Sequence, residues 1–461
     1  METPRDDAAA LGVEQQQQHE EKPAEVEAVL SKRQRKKQLR AQETLAERQE
    51  HRKKVKRESK HAATAAAGSQ TAPAEYTIAN GYRMVKPYVY EFRTHAKERW
   101  YNLELLAVFI KEFGANSPEY YKFAIQSGRI TVNKLTVPPD TKIKNGDLIV
   151  HKAHRHEPPV SGEPVTIVHE DDDVVVVSKP PSITTHPCGA YRHNSLHSIL
   201  QNMRPDLPPL HIVHRLDRLT SGIVLFAKNP AKAKALSLCI SERQAQKTYL
   251  ARGLGIFPTE FTAEVQQRLV HVAQEKCPSS VLTFPSDTEM LISCPLQCLS
   301  ARDAIYECHA DGKPSETLVS LVRNGNSTCL VQCKPITGRT HQIRLHLQLV
   351  GFPIANDPCY GGELHFGESS ERMTEIAKAK EAKDQLPPKL DGDFSTPQQE
   401  NESEDAFMQR TCSWCYIGAD EAFNETQLHC SKIWLHALEY KLDGYTFQAP
   451  EPSWAAPSDM Y

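Results

Sequence analysis

No apolar run in this 461-residue chain is long enough to cross a membrane. The opening residues, with Glu2, Asp6 and Asp7, hold no apolar segment of the kind a secretory signal needs. They are also too acidic for a mitochondrial transit peptide. A cytoplasmic or nuclear compartment is therefore expected. Glycine-rich phosphate loops are missing, which removes the usual cradle for a nucleotide cofactor. Positive charge is not in excess: 55 Lys and Arg stand against 58 Asp and Glu, a formal net charge of -3. A polyanionic partner would have to be held by local patches. The 12 cysteines are scattered, and reduced thiols are expected for most of them.

Against these absences one stretch stands out, His211-Ile212-Val213-His214-Arg215-Leu216-Asp217-Arg218-Leu219-Thr220-Ser221-Gly222. It sets one carboxylate between two guanidinium groups. The apolar run Ile223–Ala227 follows and reads as a buried strand. Flanking cations favour the ionised form of Asp217, which suits a nucleophile better than a general acid. The plainer reading is a surface ion pair beside a turn. The triplet alone does not decide between them.

Three further stretches carry chemistry-bearing residues. They are Lys247-Thr248-Tyr249, the run Pro335-Ile336-Thr337-Gly338-Arg339-Thr340-His341-Gln342-Ile343-Arg344-Leu345-His346, and Gly351-Phe352-Pro353-Ile354 leading to Asp357. With His214-Arg215-Leu216-Asp217 and Thr220-Ser221-Gly222 they resemble, in the same order, the motifs of RluA-type RNA pseudouridine synthases. The flanks His154-Arg155-His156-Glu157-Pro158-Pro159-Val160, Thr185-His186-Pro187-Cys188-Gly189, Tyr191-Arg192-His193-Asn194 and Pro452-Ser453-Trp454-Ala455 are similar to the eukaryotic branch of that family. That branch includes the RNA pseudouridylate synthase domain-containing proteins and the tRNA position-32 synthases.

The resemblance implies an α+β pseudouridine synthase fold. This is a mixed, largely antiparallel β-sheet with flanking helices and a central active-site cleft, preceded by a small S4-like α/β module. It implies that uridine is isomerised to pseudouridine: the C1'–N1 bond is cut, the uracil turns, and C5 is joined to C1'. Nothing is oxidised, so no cofactor is expected. By the same resemblance Asp217 is the catalytic carboxylate, and Tyr249 stacks on the uracil and is the candidate for moving its proton. Arg344 pairs with the acid, and Arg215 fills the gap left by a flipped uridine. Lys247, Arg339 and His341 complete the expected substrate-binding set. The expected partner is RNA, most of all a tRNA in its anticodon-loop region, with mRNA as a further candidate. Flipping costs least from a loop. A monomer is expected. The alternative is a catalytically inactive RNA-binding protein. A fused deaminase, present in some relatives, would need a Pro-Cys-x-x-Cys motif that this chain lacks.

Residues 1–75 read as a disordered basic low-complexity tail, with clusters such as Arg35-Lys36-Lys37 and Arg52-Lys53-Lys54. Such clusters suit a nuclear import signal, an RNA tether or merely a solvated tail. The S4-like RNA-binding module is expected over 81–157. Its first helix falls within Trp100–Phe113, with Leu103, Leu106, Ala107 and Ile110 on the apolar side. Pro118–Gln126 forms its second helix, and strands follow near Ile130 and Leu148. Lys122 and Arg129 are its candidate RNA contacts; a small structural cap is the other reading. The catalytic domain is expected over 163–455, with insertions at about 257–290 and about 363–410. The second insertion is acidic and reads as disordered. Helices are expected over Asn229–Arg243 and His341–Leu349, with Arg344 projecting off the apolar row of the latter. Lys228, Lys232, Lys234 and Arg243 are either phosphate contacts or a solvated face.

No metal site is expected. His186, His193 and His197 are irregularly spaced and lack a completing carboxylate or cysteine set. Cys412-x-x-Cys415 with His429-Cys430 has an unusual spacing for a zinc knuckle, and reduced thiols are the expectation there too.

Overall fold

The structure, a computed structural model, describes residues 74–79, 81–113, 116–300, 304–357, 359–361, 394, 398–412, 415 and 432–456. The expectations for the basic tail, for most of the acidic stretch, and for His429 and Cys430 lie outside the described residues.

The described chain opens with a hairpin, β1 (Tyr76–Ala79) and β2 (Tyr82–Val85), followed by β3 (Tyr88–His95). Helices α1 (Leu105–Glu112) and α2 (Pro118–Gln126) come next, then β4 (Ile130–Val132) and β5 (Leu148–Arg155). The last three strands form an antiparallel sheet in the order β3-β5-β4. Trp100, Leu105, Phe109, Tyr121, Ile125, Ile130 and Ile149 close a separate core between this sheet and the helices. α2 starts where Ser117 Oγ accepts the Tyr120 N–H, with Pro118 at the first helical position. Its buried side includes the expected Tyr121, Ala124 and Ile125.

α1 corrects the sequence expectation. Leu105, Val108 and Phe109 are buried, while Leu103, Ala107 and Ile110 are exposed. A count from Leu103 starts outside the helix; from Leu105, residues 105, 108 and 109 share one side. Arg129 is a second correction. Its guanidinium is buried and donates to Tyr120 Oη (2.8 Å) and Thr411 Oγ1 (2.7 Å), so it is not an RNA contact.

β6 (Val160–Ser161) returns to pair with β2. There follow β7 (Thr166–Glu170), β8 (Val174–Lys179), α3 (Leu196–Met203), β9 (His211–Ile212), β10 (Ser221–Ala227), α4 (Pro230–Ser241) and β11 (Gln246–Leu254). Next are α5 (Ala263–Lys276), β12 (Val281–Ser286), β13 (Glu289–Ser293), β14 (Leu296–Ser300), β15 (Ile305–Cys308), β16 (Glu316–Asn324), β17 (Thr328–Pro335) and α6 (Gln342–Leu349). α7 (Glu404–Arg410), β18 (Leu435–Leu442) and β19 (Tyr445–Gln448) close the described chain. An 11-stranded sheet runs β12-β13-β16-β17-β11-β18-β10-β8-β7, with β19 beside β18 and β9 beside β10. Its pairings are antiparallel except for β10 with β18. Val174–Val177 and Ile223–Ala227 are wholly buried, which is why β8 and β10 read as continuous apolar runs.

Residues 257–290 are built into the fold: α5 lies there, and β12 and β13 widen the sheet at one edge. Part of the acidic stretch is also ordered, contrary to expectation. α7 buries Phe407 and Met408, and Phe407 and Phe394 pack on Phe123 of the N-terminal module. Three apolar anchors spaced along a charged segment suffice to dock it. No helix among the described residues is long and apolar enough to cross a membrane.

Candidate active site

Asp217 sits in the connection from β9 to β10, and that connection is clamped from several sides. Thr185 Oγ1 accepts the Leu216 N–H and donates to the Leu216 carbonyl, both at 3.1 Å. The buried Lys179 amine donates to the carbonyls of Pro180 (2.8 Å), Ile183 (2.9 Å) and Arg218 (3.1 Å). Burial lowers its pKa to about 7. His214 Nε2 accepts the Leu225 N–H at 3.1 Å, so the imidazole stands in for a missing ladder partner of β10. Gly222, with φ +109°, lies where β10 meets β18; a Cβ there would sit 2.2 Å from the Ala437 carbonyl oxygen. Only glycine fits both the conformation and the space.

Asp217 is not paired with its sequence neighbours. Arg215 is exposed, and the Arg218 guanidinium lies over the Tyr191 ring at 5.9 Å. Adjacent side chains in a loop diverge, so adjacency in sequence does not bring charges together. The carboxylate faces α6 instead. Its Oδ2 is 3.7 Å from Arg344 Nη1 and 3.8 Å from His341 Nε2.

α6 is buried nearly all round, including Gln342, Ile343, Arg344, Leu345, His346 and Leu347. Arg344 therefore projects into the protein, where the resemblance alone suggested a pairing with Asp217. Its fork is taken by Asp357: Nε and Nη2 donate to the two carboxylate oxygens at 2.7 and 2.8 Å. That leaves Nη1 as the atom directed at Asp217. His341, with φ +57°, caps the helix and shares a 2.7 Å hydrogen bond with Tyr360 Oη. Burial lowers the His341 pKa. Gln342 holds the preceding loop: its Oε1 accepts from Thr337 Oγ1 and the Arg339 N–H, and its Nε2 donates to the Glu316 carbonyl. Arg339 itself is exposed and donates to the Pro314 carbonyl.

From β11 comes Tyr249, whose hydroxyl is 2.5 Å from that of Tyr440 on β18. Both phenols are buried, and burial raises both pKa values, so both are neutral. Lys247, two residues earlier, lies with its amine 5.8 Å from the Tyr440 ring centre.

Asp217, Tyr249, Arg344, Arg215, Lys247, Arg339 and His341 all line one cleft of about 550 Å³. A neighbouring cleft of about 450 Å³ shares Arg243 and Lys247 and adds Lys334 and Lys441. The other cations on and near α4 divide. Lys228 pairs with Glu170 and Lys232 with Asp443, each at 2.9 Å, with both lysine side chains largely buried. They are structural ion pairs, neither phosphate contacts nor a solvated face, while Lys234 is exposed. Sequence reasoning assigned no role to Lys179, Asp357 or Tyr440. A lysine closing a strand that opens with four valines was a legible hint for the first; Asp357 was marked by the motif it ends but given no role, and Tyr440 became visible only as a partner.

A fixed carboxylate, a buried cation beside it and an aromatic wall suit bond exchange on a flat heterocycle. The comparisons agree. Residues 173–349 match the family described as RNA pseudouridylate synthase. A Saccharomyces cerevisiae protein named tRNA pseudouridine(32) synthase, mitochondrial, is 34% identical over 383 residues, covering 80% of this chain and 73% of that one. The chain belongs to the RluA-type RNA pseudouridine synthase family. RNA pseudouridine synthase 7 of Arabidopsis thaliana is 34% identical over 382 residues, 83% of this chain and 88% of the relative. The Saccharomyces cerevisiae tRNA pseudouridine(31) synthase is 30% identical over 409 residues, 82% and 96%. This RNA pseudouridine synthase is thus an isomerase, and its large, mostly antiparallel sheet with helices around a cleft is the expected pseudouridine synthase fold.

Proposed function

We propose that this RNA pseudouridine synthase isomerises an unpaired uridine in the anticodon-loop region of a tRNA, with Asp217 as its catalytic carboxylate. The observation that carries the reading is the meeting of Asp217, Arg344 and Tyr249 in one cleft. Its volume, about 550 Å³, is in the range that takes a whole nucleotide. The two yeast relatives are named for adjacent positions, 32 and 31. Their similarity supports the region of the tRNA more than either nucleotide.

In this reading the uridine flips out of the stack and Arg215, exposed at the rim, takes its place. Asp217 promotes cleavage of the C1'–N1 bond. Arg344, locked by Asp357, faces it with a fixed positive charge. Tyr249 holds the freed uracil by its ring face while it turns. Once C5 is joined to C1', C5 must lose a proton and N1 must gain one. The Tyr249 hydroxyl, linked to that of Tyr440, is the group we assign to that transfer. Lys247, Arg339 and His341 bind the substrate, and Arg243, Lys334 and Lys441 continue a cationic path along the neighbouring cleft. The S4-like module over 81–157 adds RNA-binding surface to the catalytic domain over 163–455. The chain acts as a monomer in the cytoplasm or nucleus, and mRNA loops of similar shape are further substrates.

The test is to incubate the purified chain with tRNA transcripts and an mRNA library and to map pseudouridine. Product in the anticodon loop, absent with Asp217→Ala, is expected. Product only outside that region overturns the target. RNA binding with no product on any RNA favours the inactive binding protein.

A further inference from the structure

Far along the chain from the catalytic motifs, two pairs of metal-ligating residues converge. His154 lies in the last two residues of β5 and His156 follows just past its end, and their ring nitrogens meet 3.2 Å apart. Cys412 and Cys415 follow α7, and their x-x spacing is that of one tight turn. The four donor atoms lie within 4.8 Å of one another. His154 Nδ1 and His156 Nε2 are 3.2 Å apart. Cys412 Sγ is 3.4 Å from His156 Nε2, and Cys415 Sγ is 3.3 Å from that atom and 3.4 Å from His154 Nδ1.

These contacts cannot all be hydrogen bonds. An imidazole nitrogen has either one N–H or one lone pair. Yet His156 Nε2 has three polar atoms within 3.4 Å. A cation at the centre resolves the conflict, because every lone pair then points at it. Zinc bonds of about 2.0–2.1 Å to nitrogen and about 2.3 Å to sulfur define a tetrahedron with edges of about 3.3 Å between nitrogens and about 3.5 Å from nitrogen to sulfur. The observed separations fall close to those edges. A two-iron cluster with the same residues would put imidazoles and thiolates on separate irons, further apart than this.

We propose that His154, His156, Cys412 and Cys415 bind one tetrahedral Zn²⁺ ion. The site is closed, with four protein ligands and no open position, so it is structural. None of the four lines the catalytic cleft. The ion fastens the segment carrying α7 to the N-terminal module, where Lys152 also meets Glu404 at 3.1 Å and Arg129 meets Thr411. It braces the exit from that module as well. Glu157, next to His156, accepts the backbone N–H groups of Arg192, His193 and Asn194 and the Tyr88 hydroxyl. Zinc thus fixes the joint between the two parts of the enzyme. This ligand set replaces the expectation of metal-free thiols, and it takes histidines some 260 residues upstream in place of His429 and Cys430.

The experiment measures zinc per chain in the full-length, untagged protein by mass spectrometry after gel filtration. About one equivalent is expected. His154→Ala and the Cys412→Ser, Cys415→Ser pair should lose at least fivefold of it. His156→Cys, which restores a donor, should retain it, as should Cys430→Ser. The wild-type chain loaded with Co²⁺ provides an arm independent of variant folding: tetrahedral bands with thiolate charge transfer are expected. Absence of metal after reconstitution with zinc and reductant overturns the proposal, as does an octahedral cobalt spectrum. Zinc lost in Cys430→Ser but kept in His154→Ala overturns the ligand set.

Discussion

Arg344 grips Asp357 with two hydrogen bonds and turns its remaining nitrogen, Nη1, toward Asp217 at 3.7 Å. One buried guanidinium therefore serves two carboxylates in unequal ways. Asp357 fixes it, and Asp217 faces its charge. Breaking a buried, hydrogen-bonded charge pair from one side costs about 3–5 kcal/mol. Asp357→Ala should lower stability on that scale in a denaturant titration and also reduce kcat. Arg344→Lys keeps a charge but loses the fork. It should reduce kcat by at least about tenfold with tRNA affinity retained. A wild-type midpoint for Asp357→Ala would show that the pair does not hold the site.

The two phenols have separable roles. Tyr249→Phe keeps the ring proposed to stack on uracil and removes the hydroxyl. General acid–base groups contribute about 10²–10⁴-fold, and kcat should fall within that range. Tyr440 also lines the cleft, but its hydroxyl is hydrogen-bonded to that of Tyr249, the proposed transfer group, so Tyr440→Phe should have the smaller effect. Equal rates for Tyr249→Phe and wild type in single-turnover assays would remove the hydroxyl from the mechanism.

Two buried histidines, His346 and His436, and the half-buried His214 make acid a denaturant. Burial lowers the His214 pKa to about 3 and those of His346 and His436 to about 4. Unfolded imidazoles titrate near about 6.5. Between those values the unfolded chain binds protons that the folded chain refuses, so stability falls as pH drops from about 6.5 toward about 4. Each group contributes up to about 1.4 kcal/mol per pH unit. Thermal midpoints across pH 4 to 8 check this. His346→Gln should flatten the acid limb, and an unchanged slope would contradict the assignment.

At Gly222 the constraint is steric. A Cβ would overlap the β18 backbone at Ala437, and the backbone cannot give without unpairing β10 from β18. Gly222→Ala should cost more than about 3 kcal/mol, read as a fall in thermal midpoint or in soluble yield. Its tolerance would show that the parallel junction is looser than described.

Much of this was legible in the sequence, and the exceptions share a cause. The strands at Val174–Val177, Ile223–Ala227 and Thr328–Cys333 announce themselves by short, mostly apolar buried runs. The cleft residues could be named because ordered motifs carried them. What stayed hidden depends on partners far away in the chain. Nothing in Arg215-Leu216-Asp217-Arg218 says that Asp217 turns from its neighbours to a helix more than 120 residues on. Arg129 looks like an RNA contact until Thr411 covers it. Cys412 and Cys415 look like half of a local knuckle until β5 supplies the histidines. Periodicity reports local burial; it does not report which side chain fills the other half of a contact.

The central claim is that Asp217 is the carboxylate without which the glycosidic bond of uridine does not break. Single-turnover conversion of a bound tRNA substrate by Asp217→Asn tests it most directly, because the substitution preserves size and leaves binding to be measured alongside. The account predicts tRNA bound with wild-type affinity and no pseudouridine formed. Pseudouridine formed at a measurable rate by that variant would contradict it.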